Sequence, residues 1–493
     1  MSTSYYDIVV IGMDLSGLIY AAQAAKAGYR VLVLGQDGLP AMYNHEGLQQ
    51  YRHMPLLYGF RSSELMRNTL RDLGLYQEMR NKPEPLNPSF QMNCGSMWFS
   101  GHGDPRMLQA EYQREFGPKA KELHQFITDN SRLGDRVAGL LAALPMLPAD
   151  GFFARRALRK RLAQFPDLTA LQAPIQFPEH LQFFSAFGGL LYLMAPVRPK
   201  PMNPLATRRL IHHAESGFVR FPAYADGFKQ LFVGRLQARG GDVRPQGAAS
   251  ELLVASRKFT EIRLGRSDET VSFRLLVCNS SPQRFFKLIP PECRTRRSEA
   301  FMSSLEAPWV RYVVNFNLDP RLVPEGLAEN LVQVGSPHRE LHSENLLWVH
   351  RMPQELSGPN NSVLSVFCHL PSRELPGTEA EFAALNSRIL AELRRTMPFL
   401  EDQRVLATTP YLARNRDTGH LTLNHREIQE VFGSTLPEML DLSPVPMLAE
   451  QRNLLILGDP SFGALGLEGS FLSARLGLEW TLANVRLKKM KKD

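Results

Sequence analysis

The chain has 493 residues, of which 44% are hydrophobic and 22% are charged. These fractions are ordinary for a folded globular protein, so they exclude a disordered or collagen-like chain. At roughly 100–200 residues per domain, the length predicts two or three domains. The 57 Lys and Arg residues exceed the 49 Asp and Glu residues by 8. Because this excess is mild for a dedicated nucleic-acid binder, we expect no nucleic-acid partner.

Neither a secretory signal nor a membrane span is expected. A strand pattern begins at Tyr6 with no basic segment before it. The longest apolar run, residues 183–197, is interrupted by Gly188 and Gly189, and no run reaches the roughly 18–20 apolar residues that cross a bilayer. Four widely spaced cysteines predict reduced thiols. We therefore expect a cytoplasmic protein.

The N-terminal segment predicts one strand–helix–strand unit. Residues 6–11 are apolar and β-branched, which is typical of a strand buried on both faces. Residues 15–27 are rich in Ala and Leu and end at Gly28, as a helix does. Residues 29–34 predict a second buried strand. A unit of about 30 residues with this order is the crossover of a Rossmann fold.

Further elements follow without an internal repeat. Residues 146–205 are Pro-rich and are predicted to be irregular. Helices are predicted at 61–75, 106–145, 226–241, 379–397 and 470–487, and strands at 251–256, 258–264, 270–278, 309–318, 362–370 and 453–458.

The first turn, Gly12-Met13-Asp14-Leu15-Ser16-Gly17, matches two of the three glycines of a dinucleotide fingerprint. Gly12 permits the tight turn, and Gly17 permits close packing of helix and strand. Asp14 stands where a second glycine lets the backbone approach the pyrophosphate. Its charge would cost several kcal/mol in low dielectric unless the side chain turns away or is protonated. The alternative is a tight turn that binds no ligand.

The end of the second strand also departs from the fingerprint. An acidic residue at this position usually hydrogen-bonds the adenosine ribose. Gly35 occupies the position here, and Gln36 or Asp37 could substitute only from a shifted position. Two of the usual nucleotide contacts are therefore altered.

Later motifs are similar to those of the flavin-dependent amine oxidase and phytoene desaturase superfamily, in the same order along the chain. The segment 221–228 resembles the family's Pro-x-Gly-Gly helix start, and 239–243 resembles its Gly-Gly-x-Val turn. Residues 275–282 resemble the strand that closes the flavin domain, and 409–419 a segment near the substrate cavity. The C-terminal flavin motif is matched by Gly458, Asp459, Gly463, Gly466, Glu468, Gly469 and Ser473.

The resemblance implies an FAD cofactor, with Asp459 near its ribityl or pyrophosphate region and the following helix directed at it by its N-terminus. Tyr411, Arg414 and Phe316 would line the cavity by position only, and no catalytic residue can be assigned. The Rab GDP-dissociation inhibitors resemble this fold and act as prenyl-protein carriers without flavin. The candidate cofactor-binding residues are Gly12, Asp14, Ser16, Gly17, Gly35, Gln36, Gly458, Asp459, Gly466 and Gly469.

One basic segment has a functional and a plain interpretation. A basic cluster at 155–161, beside the apolar segments 140–144 and Phe152-Phe153, suits peripheral contact with an anionic membrane. The plain interpretation is a solvated helix face beside ordinary core. His212-His213 with Glu215 does not match a metal-binding spacing, so no metal site is predicted.

The sequence thus predicts an α/β fold: a Rossmann-type FAD-binding domain assembled from residues 1–100, 206–295 and 445–493. An inserted mixed α+β substrate domain would take residues 101–205 and 296–444. The expected function is an FAD-dependent oxidoreductase that transfers hydride from an apolar or amine-bearing organic substrate to the flavin. The alternative is a non-catalytic relative with a lost or weakened flavin site that binds an apolar ligand or a partner subunit, as a homo- or hetero-oligomer.

Overall fold

The computed structural model describes residues 4–36, 38–145, 151–165, 168–195, 203–255, 258–265, 269–291, 294, 296–400, 405–414, 421–434, 442 and 453–486. The strands in chain order are β1 Ser4–Tyr5, β2 Ile8–Ile11, β3 Val31–Leu34, β4 Met42–His45, β5 Leu48–Tyr51, β6 Leu57–Tyr58, β7 Glu84–Pro85, β8 Phe90–Cys94, β9 Met97–Gly101, β10 Phe218–Arg220, β11 Asp242–Arg244, β12 Ala249–Ala255, β13 Lys258–Leu264, β14 Thr270–Ser272, β15 Leu275–Cys278, β16 Leu305–Leu318, β17 Asn330–Val334, β18 Leu346–Arg351, β19 Ser362–Pro371, β20 Leu406–Thr408, β21 Leu412–Arg414, β22 Leu421–Leu423, β23 Gln429–Ser434 and β24 Leu454–Ile456.

The helices connect and cover these strands. They are α1 Leu15–Lys26, α2 Glu64–Asp72, α3 Tyr76–Asn81, α4 Pro105–Phe116, α5 Ala120–Ala143, α6 Gly151–Leu162, α7 Leu168–Gln172, α8 Leu181–Met194, α9 Pro204–Glu215, α10 Tyr224–Gln237, α11 Pro282–Lys287, α12 Arg296–Ser304, α13 Gln354–Ser357, α14 Glu379–Arg394, α15 Asp459–Phe462 and α16 Leu467–Asn484.

A five-stranded parallel sheet carries the Rossmann-type unit, in the order β11-β3-β2-β15-β24. Its strands come from three distant stretches of the chain. Both faces are buried, because alternate residues point to different cores: Val10 packs with helices α1, α10 and α16, and Val9 packs with a second sheet. A sheet covered on both faces explains the continuous apolar runs of these strands.

The second sheet has four strands in the order β1-β14-β13-β12. The predicted strand 270–278 is in fact two strands, because β14 joins this sheet and β15 joins the parallel one. The chain changes sheets between Ser272 and Leu275. A propensity pattern cannot show this change, because both halves are apolar and β-favouring.

The largest sheet runs β20-β16-β19-β18-β17-β8-β9, and β23 also pairs with β16. Strand β8 pairs with β17 in parallel, and β9 pairs with β8. Residues 90–101 therefore lie in the sheet built mainly from the second predicted domain, although residues 90–100 were predicted to belong to the first. The division into two domains otherwise stays a prediction.

The segment 146–205 is more regular than predicted, because its described residues include α6, α7, α8 and the start of α9. Helix α8 is apolar around most of its circumference and lies in the core. Such a helix lacks the amphipathic period that identifies helices on a surface. No described helix is both long and apolar enough to cross a membrane.

Candidate functional site

A cleft of about 390 Å³ lies at the carboxyl edge of the parallel sheet. Four lining residues directly follow strands: Gly12 follows β2, Gly35 follows β3, Asn279 follows β15 and Leu457 follows β24. The carboxyl ends of parallel strands share one edge, where ligands bind in open α/β sheets. This cleft is therefore the candidate cofactor site.

Gly12 and Gly17 are required by the close approach of Asn279. Gly12 has φ +110°, and a Cβ there would lie 2.1 Å from the Asn279 carbonyl oxygen. A Cβ on Gly17 would lie 2.2 Å from Asn279 Oδ1. Asn279 Nδ2 donates to Ser16 Oγ at 2.8 Å and to the Leu457 oxygen at 3.3 Å. Asn279, which the fingerprint did not single out, thus joins three of the loops that form the cleft.

Asp14 precedes α1 as its N-cap residue, but its side chain makes no capping hydrogen bond. The carboxylate is 74% exposed and lies 3.4 Å from Lys229 Nζ, on helix α10. Its charge is thus directed at a cation, and the first N–H groups of α1 have no side-chain cap. Such N–H groups and the helix dipole favour an anion.

The residue that follows strand β3, where an acidic side chain usually binds the ribose, provides no such contact. A Cβ on Gly35 would lie 1.8 Å from the Pro245 carbonyl oxygen, so no acidic side chain fits there. Gln36 adopts φ +48°, and its Oε1 accepts a hydrogen bond from Ala249 N at 2.8 Å. The side chain of Gln36 is therefore engaged by strand β12, and Gln36 is not among the residues that line the cleft. Residue 37 lies outside the described residues.

The C-terminal motif contributes Gly458 and Gly466 to the cleft. Gly466 has φ +57°, and a Cβ there would lie 1.9 Å from the Tyr58 hydroxyl oxygen. That hydroxyl accepts a hydrogen bond from Leu467 N at 2.8 Å and donates to the Met194 oxygen at 2.5 Å. Tyr58 thus binds the first N–H of α16, the helix that the family resemblance directs at the cofactor.

The other two candidate cofactor residues of this motif, Gly469 and Asp459, have different positions. Gly469 does not line the cleft; a Cβ there would lie 2.1 Å from the Phe462 oxygen, so this glycine lets α16 pack against the preceding turn. Asp459 is the first residue of α15, and its side chain lies outside the described residues.

A buried network fixes the start of α16. Arg209 donates to both oxygens of Glu468, from Nε at 2.6 Å and from Nη2 at 2.7 Å. His213 Nε2 lies 3.1 Å from Glu468 Oε2, its Nδ1 lies 2.6 Å from Ser62 Oγ, and Ser63 Oγ donates to Glu468 as well. Arg209 and His213 hold the pKa of Glu468 below its usual range despite burial, which raises it.

This network has the order of a Ser-His-Glu triad, but it has a structural role. Ser62 is 8% exposed and does not line the cleft, and Glu468 is fully engaged by Arg209. The side chains instead join α2, α9 and α16 behind the cleft wall. His213, which sequence analysis weighed as a metal ligand with Glu215, contacts Glu468 instead.

The cleft combines apolar and charged walls. His53 lines it, and burial together with the charge of Lys229 lowers the pKa of His53 to about 4, so the imidazole is neutral near pH 7. Glu427 is held by Arg52, whose Nε lies 3.0 Å from both carboxylate oxygens. The charged residues that line the cleft are Lys229, Arg284, Arg311, Arg426, Asp14, Glu427 and Glu430.

Two of the three predicted cavity residues lie elsewhere. Phe316 and Tyr411 are buried in the core of the largest sheet, at 0% and 1% exposure. The Tyr411 hydroxyl donates to the Arg311 oxygen at 2.7 Å. The side chain of Arg414 lies outside the described residues. Position along the chain was insufficient because β16 alternates its side chains between two faces, and Phe316 points into the core.

Comparison with known proteins supports this assignment of the fold. No protein-family model matches the chain. A Danio rerio protein named inactive all-trans-retinol 13,14-reductase is 23% identical over 302 residues, or 58% of this chain. The match covers 49% of that protein, so this chain spans about half the length of the curated relative it matches.

Solved structures that match nearly the whole chain include the following two. An oxidoreductase from Methanosarcina mazei gives a TM-score of 0.59 at 14% identity, and the match covers 96% of this chain and 100% of that one. A putrescine oxidase, studied for redesign of its cofactor binding, gives 0.56 at 12% identity and covers 98% and 100%. The protein therefore shares the Rossmann-type fold of these two proteins. At the level of the fold, its resemblance to the flavin-dependent amine oxidase and phytoene desaturase superfamily is confirmed.

Proposed function

We propose that the protein binds FAD in the cleft of the parallel sheet and acts as an oxidoreductase on an apolar organic substrate. The observation that carries this proposal is the convergence of Gly12, Ser16, Asn279 and Gly458 on one cleft of about 390 Å³. These residues come from three distant chain segments, and the cleft lies where such folds bind nucleotides.

The start of α1 fits a pyrophosphate. Its N–H groups have no side-chain cap, and Gly12 lines the cleft beside them. Asp14 would repel two phosphates if it pointed inward, but Lys229 attracts the carboxylate and offsets its charge. The anion-binding property of the helix N-terminus is therefore retained despite the altered fingerprint.

The charges of the cleft favour an apolar or anionic substrate over an amine. Its acidic lining residues are Asp14, Glu427 and Glu430, of which Asp14 is paired with Lys229 and Glu427 with Arg52 from outside the lining. The remaining charged lining residues are Arg284, Arg311, Arg426 and Glu430. A protonated amine would meet mainly cations there. The apolar lining residues Leu56, Leu193, Met194, Phe228, Ile428 and Val431 suit an apolar substrate body.

When bound, the flavin would supply hydride acceptance from a substrate C–H bond. The chain's own residues would bind and orient the substrate and exclude water from it. Neutral His53 can donate or accept one hydrogen bond in the cleft, but a pKa of about 4 makes it a weak base near pH 7. We therefore assign it hydrogen bonding to a bound molecule rather than proton abstraction.

A non-catalytic carrier is the second candidate, and specific contacts favour it. Gly35 cannot carry a ribose anchor, Gln36 is engaged elsewhere, and Tyr58 already binds the Leu467 N–H. The curated relative is itself named inactive. In this candidate the cleft takes an apolar ligand or a partner subunit and holds flavin weakly or not at all.

The visible absorbance spectrum of the purified protein tests the two candidates. Flavin bands with about one FAD per chain, or saturable uptake of added FAD that ADP competes with, are the expected result. A colourless protein that takes up no added FAD would overturn the proposal. In that case, Asp14→Gly removes the charge beside the start of α1, and Tyr58→Phe frees the first N–H of α16. Uptake gained by the combined variant would identify the second candidate as the correct one.

A further inference from the structure

We propose that helix α6 is a membrane-docking element that binds the surface of an anionic lipid bilayer. The helix runs from Gly151 to Leu162 and lies outside the cleft. The inference therefore does not depend on flavin binding.

One edge of α6 is anchored in the core. Leu158 and Leu162, one turn apart, are 0% and 8% exposed and pack into the core beside α5. Arg161 Nη1 adds a hydrogen bond to the Ala143 oxygen at 3.1 Å. The rest of the described helix surface faces outward. An outward face of this kind is available to a partner without any rearrangement of the core.

The outer face carries two large apolar side chains. Phe152 is 71% exposed and Phe153 is 83% exposed, and their ring centroids lie 5.6 Å apart. The nearby apolar segment 140–144 does not extend this patch, contrary to the sequence interpretation, because Leu140, Leu141 and Leu144 are buried. The exposed apolar part of the patch is the Phe152-Phe153 pair.

Cations occupy the same face. Because a helix advances 100° per residue, Phe152, Arg156 and Lys160 follow one another in successive turns, with Phe153 and Arg159 at their sides. The helix contains Arg155, Arg156, Arg159, Lys160 and Arg161 and no acidic residue. Basic residues around exposed aromatic rings match the interface of an anionic membrane, where the rings enter the acyl boundary and the cations remain among the headgroups.

The two exposed phenylalanine rings favour an anionic lipid bilayer over other polyanions as the partner of α6. A nucleic acid or an acidic protein surface would attract the five cations. A bilayer attracts the cations too, but its continuous apolar interior also takes both rings out of water. The proposal therefore requires binding that depends on the rings as well as on charge.

Vesicle flotation of the full chain tests this proposal. The two vesicle types are pure phosphatidylcholine, and equal parts phosphatidylcholine and phosphatidylserine. We expect binding to the mixed vesicles at low salt, and loss of binding on pure phosphatidylcholine or at high salt. The variant Phe152→Ser with Phe153→Ser should reduce the bound fraction about tenfold or more. Arg156→Gln with Lys160→Gln should reduce the partition coefficient about fivefold for each cation removed.

Matched controls lie far from α6 along the chain. Phe399→Ser removes another exposed ring (68% exposed), and Arg321→Gln with Arg373→Gln removes two exposed cations; neither should change binding. All substituted side chains are exposed, so thermal melts should match that of the parent. Absence of binding to mixed vesicles at low salt overturns the proposal. Binding that survives loss of both rings also overturns it and identifies a purely electrostatic contact.

Discussion

The Asp14 carboxylate and the Lys229 ammonium face each other at 3.4 Å across the edge of the nucleotide cleft. Lys229 lies on α10, far along the chain from the turn that contains Asp14. The pair explains how an acidic residue can stand at a position where phosphates bind. A substitution at Lys229 should therefore change how the first turn contacts a bound phosphate.

Removal of Lys229 should expose the charge of Asp14 to a bound pyrophosphate. We expect Lys229→Met to weaken FAD binding about fivefold, and Asp14→Asn in the same background to restore it. Stability should change by less than about 1 kcal/mol, because the pair is partly exposed. FAD titration of the single and double variants measures the coupling. Strictly additive effects of the two substitutions would contradict this role.

Replacement of Gly35 should destabilise the fold instead of restoring a ribose contact. A Cβ there would lie 1.8 Å from the Pro245 oxygen, and such overpacking costs about 1–3 kcal/mol. We expect Gly35→Ala to lower the free energy of unfolding by this amount, and Gly35→Glu to show no gain in FAD affinity. Gly326→Ala is the control, because nothing lies within 4 Å of its Cβ position. Tighter FAD binding by Gly35→Glu would refute the clash.

The buried pair of Arg209 and Glu468 should make a large contribution to the free energy of unfolding, and this contribution should depend on both residues. Arg209→Met leaves a buried carboxylate without its main cation, which should cost about 3–5 kcal/mol in urea unfolding. Adding Glu468→Leu should recover part of this loss, because the uncompensated charge is then removed. Lys82→Met breaks the exposed Lys82–Glu78 pair and should change stability by less than about 0.5 kcal/mol. Equal losses for the buried and the exposed pair would exclude this role.

Buried histidines should make the protein sensitive to mild acid. Burial lowers the pKa of His212 and His53 to about 4 and that of His350 and His369 to about 3. Since the unfolded pKa is about 6.5, the unfolded state binds more protons below that pH. Stability is therefore full above about pH 6.5 and falls as pH decreases towards 3–4, by up to about 1.4 kcal/mol per pH unit for each group.

Unfolding of His350→Gln between pH 7.5 and 5 tests this dependence. The variant should show a shallower loss of stability than the parent, because one buried proton acceptor is absent. The exposed His338 provides the control, and His338→Gln should keep the parent's slope. Parallel curves for the parent and His350→Gln would count against the assignment.

Local sequence was sufficient for the elements that form within one stretch. The strand–helix–strand unit and Gly12 were predicted because a short apolar strand, a turn glycine and an Ala-rich helix are adjacent in the chain. The role of Gly35 could not be predicted, because the carbonyl of Pro245 that excludes a side chain comes from a remote strand. The same is true of the partners Arg209 and Glu468, which meet only in the folded core.

Some local signals also failed. Helix α8 was missed because its apolar residues show no single buried face. Gln36 was a reasonable candidate for the ribose by position, but its left-handed backbone turns the side chain to Ala249. Residues near a motif are therefore assigned correctly only when the loop conformation is known.

The parallel sheet also has a consequence for biosynthesis. Strand β2 pairs with β15, which is synthesised more than half a chain length later than the first turn, and β24 comes later still. At about 5–20 residues per second, the edge of β2 waits roughly 10–50 s on the ribosome before β15 is translated. An apolar, unpaired strand edge invites aggregation during that interval. We therefore expect recovery of soluble protein during expression to rise when translation is slowed or a nascent-chain chaperone is supplied.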